Sequence, residues 1–364
     1  MTPPEEQLFP WPILKAMVGG TSALDLPRLN VRTFREAEGF LERYGFDWSL
    51  ESDRADVAAI RLDALRFMED ELLVDVSLDF PEELKQESDT RELLLISSNE
   101  TGQRQQWACA LLRVMHAFTH ARSALDDWFG DAIRMQVLDR FAPSLSDIDG
   151  TVYLGEEGET IPLHTFLIKH RKSVSSVVMK LLHKVENVAT DIFDRIGVRI
   201  VTQSRFDALL VVRFLRRSHI VAFANIKASR SRNSLIDLDW LKKALDEVDG
   251  LVADGKLPAS ERLNWLREAC EDSPSPSSAH NNPHSSQDYR ALQFTCRQLI
   301  RVPGDRLGQP GETLRFFFPY EVQVLDKKSY EATRSGRASH TDYKRRQRST
   351  VRRRILGPDI CPDT

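Results

Sequence analysis

Three short stretches hold residues whose types and spacing can do chemistry. DIFDRIGVRIVT, Asp191 to Thr202, crowds two acids and a base at the entrance of a short apolar run. Asp194 has two readings there. It is either polar punctuation where a helix gives way to a buried strand, or a metal ligand held at the mouth of that strand. FFFPYEVQVLD, Phe316 to Asp326, alternates with period two. Glu321 and Gln323 therefore share one strand face, and Val322 and Val324 take the other, in the core. KHRKSVSSVVMKLL, Lys169 to Leu182, sets cations ahead of a helix N-terminus. Basic side chains and amide dipoles there point the same way at an anion such as a triphosphate, although a solvated basic turn would read identically. His116 and His120, four apart with Asp126 and Asp127 beyond, have the spacing of two imidazoles on one metal. With no third ligand evident, they read as ordinary residues of a helix face.

The elements that must position these residues change character along the chain. The first 150 residues are expected to be mainly helical. Thr33-Phe34-Arg35-Glu36 has capping-box spacing and opens a helix with Phe34, Ala37, Phe40 and Leu41 on one side. A longer helix is predicted from Gln103 to about Phe129, with Trp107, Leu111, Val114, Met115, Phe118 and Leu125 as its apolar side. After the turn signal Asp147-Ile148-Asp149-Gly150, strands are predicted at Thr151–Leu154, Ile161–Ile168, Ile196–Val201 and Ile220–Ile226. Helices fall at Ser173–Glu186, Ser204–Arg217, Asp237–Val248 and Ser260–Glu271. DSPSPSSAHNNPHSSQ, residues 272–287, offers no core anchor and reads as a disordered insertion. Strands at Tyr289–Val302 and Thr313–Leu325 and a basic helix at Asp342–Leu356 complete an α+β domain over 151–356, with a short tail at 357–364.

A chain of 364 residues is long enough for two domains. Its net charge of −4 gives no global field toward nucleic acid. Cys109, Cys270, Cys296 and Cys361 lie far apart without CxxC spacing, which argues against a disulfide framework or zinc site and fits a reducing cytoplasm. The segment MTPPEEQLFPWPILKAMVGG has acids and prolines where a signal peptide needs a basic patch and an apolar run. No apolar stretch approaches the roughly 20 residues of a membrane helix. The expectation is a cytoplasmic protein with no membrane partner.

From Lys169 to Lys344, five pieces in order resemble the synthetase domain of the RelA/SpoT-type (p)ppGpp synthetases. KHRKSVSSVVMKLL is similar to that family's R-x-K-x-x-x-S and following helix, with Lys172, Ser176, Lys180 and Leu181 in step and His170 in place of arginine. DIFDRIGVRIV resembles D-I-x-D-L-x-A-x-R-I, which puts Asp194 at the magnesium aspartate and Arg199 at the strand arginine. HIVAFANIKASRSRNSLID lies where the family has a basic loop, and offers Lys227, Arg230 and Arg232. SSQDYRALQFT looks like the acceptor motif N-G-Y-Q-S-L-H-T; Tyr289 and Leu292 match, while Asp288, Arg290 and Gln293 replace glycine, glutamine and histidine. FFFPYEVQV with ASHTDYK resembles E-V-Q-I-R-T and A-A-H-W-x-Y-K through Glu321, Gln323, Ala338, His340, Tyr343 and Lys344, and Leu325 replaces arginine.

The resemblance implies a nucleotidyltransferase-like mixed β-sheet flanked by helices. It also implies pyrophosphoryl transfer from ATP to the 3′-hydroxyl of a guanine nucleotide. Asp194 and Glu321 would then hold Mg²⁺ and act catalytically. His170, Lys172, Lys180, Arg199, Lys227 and Arg230 would neutralise phosphates, Tyr289 would stack the acceptor base, and Gln323, His340 and Lys344 would complete the nucleotide site. No His-Asp dipeptide is present, unlike the family's hydrolase, so residues 1–150 are expected to be regulatory or dimerising, with a homo-oligomer one consequence. Two alternatives stay open. One is another acceptor, an adenine nucleotide or the 3′ end of tRNA, with RNA contacted through Lys344 to Arg354. The other is a degenerate member that senses or binds nucleotides.

Overall fold

The structure is a computed structural model that describes residues 22–26, 28–121, 124–156, 158–169, 173–183, 196–274, 276, 290–305, 308, 310–334, 340–357 and 360–361. It is a mixed α/β architecture with a seven-stranded sheet flanked by helices. In chain order the helices α1 (Phe34–Tyr44), α2 (Glu51–Phe67), α3 (Glu82–Gln86), α4 (Thr90–Asn99), α5 (Gln103–Ala121) and α6 (Ala124–Phe141) come first. Strands β1 (Leu145–Ile148), β2 (Thr151–Glu156) and β3 (Glu159–Lys169) lead to α7 (Val174–His183), β4 (Gly197–Thr202) and α8 (Arg205–Arg217). Next come β5 (Arg232–Asn233), α9 (Leu238–Ala253) and α10 (Arg262–Glu271). The series closes with β6 (Leu292–Pro303), β7 (Thr313–Asp326), α11 (Lys327–Arg334) and α12 (His340–Leu356). No helix among the described residues is long and apolar enough to cross a membrane.

The chain divides into two compact units. The helical unit joins residues 1–123, 173–191 and 344–364, and the sheet unit joins 124–172 and 192–343. Compactness thus does not follow the change of composition near residue 150. The reason lies in α6, whose Phe129, Ile133, Val137 and Phe141 are buried in the core of the sheet. The predicted helix from Gln103 to Phe129 is instead α5 followed by α6, and the Leu125 side chain lies outside the described residues.

In the helical unit, α5 is the central element, and α2, α4 and α7 pack on it. Trp107, Leu111, Val114, Met115 and Phe118 are buried as their periodicity requires. Thr33 caps α1 by accepting from the Glu36 amide at 3.2 Å, and Glu36 returns a bond from the Arg32 amide at 2.8 Å. Ala37 and Leu41 are buried, whereas Phe34 stays exposed beneath the Arg91 guanidinium, 5.1 Å from its ring centre. Residues of α12 also belong here. Arg348 donates to Glu71 at 3.1 Å, Arg352 donates to Leu72 O at 2.6 Å and pairs with Asp75, and Arg354 bonds both oxygens of Asp25 at 2.6 and 2.9 Å. Three arginines of the basic run once open to RNA are therefore held within the protein itself.

The sheet unit has strand order β1-β2-β3-β4-β7-β6-β5. All neighbours are antiparallel except β4 and β7, which run parallel. The β1–β2 turn is Asp149-Gly150 with φ of 51° and 77°, the left-handed pair that a two-residue hairpin needs. The two central strands place Val198, Ile200, Val322 and Val324 in one core with α6 and with Val211, Phe214 and Leu215 of α8. The predicted strand Ile220–Ile226 is not one. His219 turns the chain with φ 57°, Ile220 and Val221 plug the core, and a 3₁₀ turn follows at Phe223–Asn225. Only Ile226 pairs with the sheet, through a bridge to Cys296. The run 272–287 falls largely outside the described residues, but its start is anchored: Ser273 is buried and its carbonyl accepts from Arg205 at 3.0 Å.

Candidate active site on the sheet

The parallel pairing of β4 with β7 sets the site. Residues directly opposite on neighbouring strands present side chains to the same face. Register therefore builds two rows on the face away from the valine core. One row is Lys169, Gly197, Glu321 and Thr295, across β3, β4, β7 and β6. The next row, two residues along each strand, is Leu167, Arg199, Gln323, Gln293 and, on β5, Arg232. The result is a carboxylate near the middle of a polar patch, with cations on either side.

Hydrogen bonds tie the patch together. Glu321 is 8% exposed, so its oxygens must be satisfied within the protein. Gln293 donates to one oxygen, and Gln323 Nε2 donates to the other at 2.5 Å. The carbonyl of Gln323 accepts from Lys169 Nζ at 2.8 Å and from Arg199 Nη2 at 3.0 Å. Gln323 thus relays between two cations and one carboxylate. Gly197 leaves the space that this needs: a Cβ there would meet Lys169 Cδ at 3.3 Å. A third row, Val201 and Leu325, forms an apolar cluster with Ala291 and Tyr330 of α11. Tyr330 lies between the guanidinium groups of Arg199 and Arg334, 5.9 and 6.0 Å from its ring centre, with His164 edge-on at 6.1 Å.

Of the residues singled out in the sequence, the fold brings together Glu321, Gln323 and Arg199. Lys227 and Arg230 lie in the turn beside β6, where the Lys227 amide donates to Thr295 O at 2.9 Å. Lys180 lies on α7 and Lys344 on α12, within the helical unit, and Lys344 is exposed. Asp194, His170, Lys172 and Tyr289 lie outside the described residues, as does the side chain of His340. Lys169, Gln293 and Tyr330 join the patch without having been picked as site residues. Gln293 falls opposite Gln323, whereas Lys169 falls opposite Gly197, which in turn falls opposite Glu321, so the pairing register brings both to the site.

Among the described residues no group of three or more His, Cys, Asp or Glu side chains gathers as a metal cluster. The donor set of the patch nevertheless suits Mg²⁺ with a polyphosphate. Mg²⁺ binds through one or two carboxylates while phosphates and water fill its remaining positions, and Glu321 supplies one carboxylate beside Lys169 and Arg199. Compared with models of known protein families and with curated proteins, the chain matches none.

Proposed function

We propose that the sheet unit is a nucleotidyltransferase-like domain that transfers pyrophosphate from ATP to the 3′-hydroxyl of a guanine nucleotide. The observation that carries this reading is the pair of rows built by β4 and β7, with buried Glu321 flanked by Lys169 and Arg199 on one open-edged strip of polar residues. Transfer of this kind rests on positioning and charge neutralisation rather than on covalent catalysis. Lys169 and Arg199 would bind donor phosphates, with His170 and Lys172 as further cations from the sequence motif. Glu321, together with Asp194, would hold Mg²⁺, which supplies charge neutralisation to the donor phosphates when bound. A carboxylate has about four lone-pair sites, so Glu321 keeps acceptor capacity beyond its two amide bonds. It can take the proton of the attacking hydroxyl. The new bond joins the acceptor oxygen to the β-phosphorus, the bond from that phosphorus to the α-phosphate oxygen breaks, and AMP leaves.

The test is incubation of the protein with γ-labelled ATP, Mg²⁺ and one of GDP, GTP, ATP or tRNA. Label is expected in a guanine nucleotide, with Glu321→Gln lowering the rate by about 10²–10⁴-fold and Asp194→Asn abolishing it. A second reading is favoured by Leu325, which is fully buried among Val201, Ala291 and Tyr330 where the resembled family carries an arginine. It is a nucleotide-binding protein without transfer activity. Saturable ATP binding with no label on any acceptor would establish that reading in place of the first.

A further inference from the structure

We propose that the helical unit contains a binding site for a small apolar monoanion, of the class of medium-chain carboxylic acids, with its carboxylate at Arg113 and Arg28. The site is a cavity of about 360 Å³, within the range of small-molecule pockets. Its wall is mostly aliphatic and aromatic, with Phe40, Leu41, Leu94, Leu112 and Met115 among the residues that form it. On α5 the lining runs from Cys109 to Thr119, about 15 Å of helix. Such a wall offers little to a nucleotide or sugar and favours an alkyl body.

Charge selects the head group. Arg113 points its guanidinium at two neutral acceptors, Ile355 O at 2.7 Å and Leu26 O at 2.8 Å. Arg28, also in the lining, is exposed and makes no ion pair among the described residues. Asp25 is the nearby carboxylate that acts on Arg113, and both its oxygens are taken by Arg354. Among the described residues, three guanidinium groups therefore stand against one acid at this end. Cys109 feels both Arg28 and Arg113, yet burial pushes its thiol pKa up, so it stays neutral and supplies no counter-charge. At the other side of the lining His116 shares a hydrogen bond with Tyr44, and burial, then His120, pulls the imidazole pKa down to about 4. That pair is neutral at physiological pH and brings no negative charge either. Arg113 is half-buried and shares the Asp25 charge with Arg354, and an entering carboxylate adds the missing negative charge while its chain fills the apolar volume. This inference does not depend on the activity proposed for the sheet unit.

The experiment is isothermal titration of the full chain with octanoate, decanoate and dodecanoate below their micelle concentrations, with decanol and decylamine as neutral and cationic controls. Affinity should rise by about fourfold per added methylene until the cavity is full, and decanoate should bind about tenfold or more tighter than decanol or decylamine. Arg113→Met should bring decanoate down to the affinity of decanol. Leu112→Trp, which fills the cavity and keeps both arginines, should abolish binding of acid and alcohol alike. Equal affinity for decanoate and decanol would overturn the assignment of an anion. Undiminished decanoate binding by Leu112→Trp, or no saturable binding of any acid, would overturn the site. If Arg113→Met fails to fold, the comparison of head groups and the cavity-filling variant still decide both points.

Discussion

Gln323 connects three charged groups through one side chain. Its carbonyl accepts from Lys169 and Arg199 while its amide donates to Glu321. Replacement by leucine would keep the volume but take one hydrogen-bond partner from all three, so Gln323→Leu should destabilise the protein by about 1–3 kcal/mol in urea unfolding. Gln323→Glu would place a second acid two residues from the first and should raise the affinity for divalent cations, measurable by Mg²⁺-dependent thermal shift. His116 makes a different kind of prediction. Its folded pKa is about 4 against the ordinary 6.5, so the unfolded chain binds more protons between those values. Stability is therefore intact above pH 6.5 and falls as the pH drops toward 4, by about 3 kcal/mol in total. Denaturant unfolding at pH 7 and pH 5 should show this loss, and His116→Gln should flatten it.

At the scale of elements, caps and register decide where the pieces lie. Asp237 accepts from both the Asp239 and Trp240 amides at 2.9 Å and starts α9; Asp237→Ala should cost about 1 kcal/mol, read by thermal unfolding. The capping box of α1 was legible in the sequence, as were the starts of α8 at Ser204 and α9 at Asp237 and the alternation in EVQV that places Glu321 and Gln323 opposite the valine core. β1 was not legible, because LSDI carries only one half-buried residue followed by three exposed ones, and so no period-two pattern. The apolar run Ile220–Ile226 misled for the opposite reason: Ile220 and Val221 enter the core from an irregular segment that makes one bridge to the sheet, while Phe223 is exposed. Lys169 and Gln293 were hidden by distance, since they reach Gln323 and Glu321 across 154 and 28 residues of chain. Only register brings them together, and register is a property of pairs of strands.

For the molecule as a whole, the basic run of α12 belongs to stability first. Arg352 is 7% exposed, donates to Leu72 O and pairs with Asp75. Arg352→Met should lower unfolding free energy by about 2 kcal/mol, measured in urea, in a protein whose other arginines are intact. A loss of RNA binding in such a variant would report unfolding rather than a missing phosphate contact. The division of the chain carries one more consequence. The sheet unit is complete once residue 343 has been made, whereas the helical unit needs residues 344–364 as well as the first 123. During synthesis, therefore, α1 to α5 must wait for α12, which follows the whole sheet unit in the chain. Until α12 is made, α1 to α5 would keep part of their apolar surface uncovered, which makes these helices, rather than the sheet, the part of this protein for a chaperone to hold.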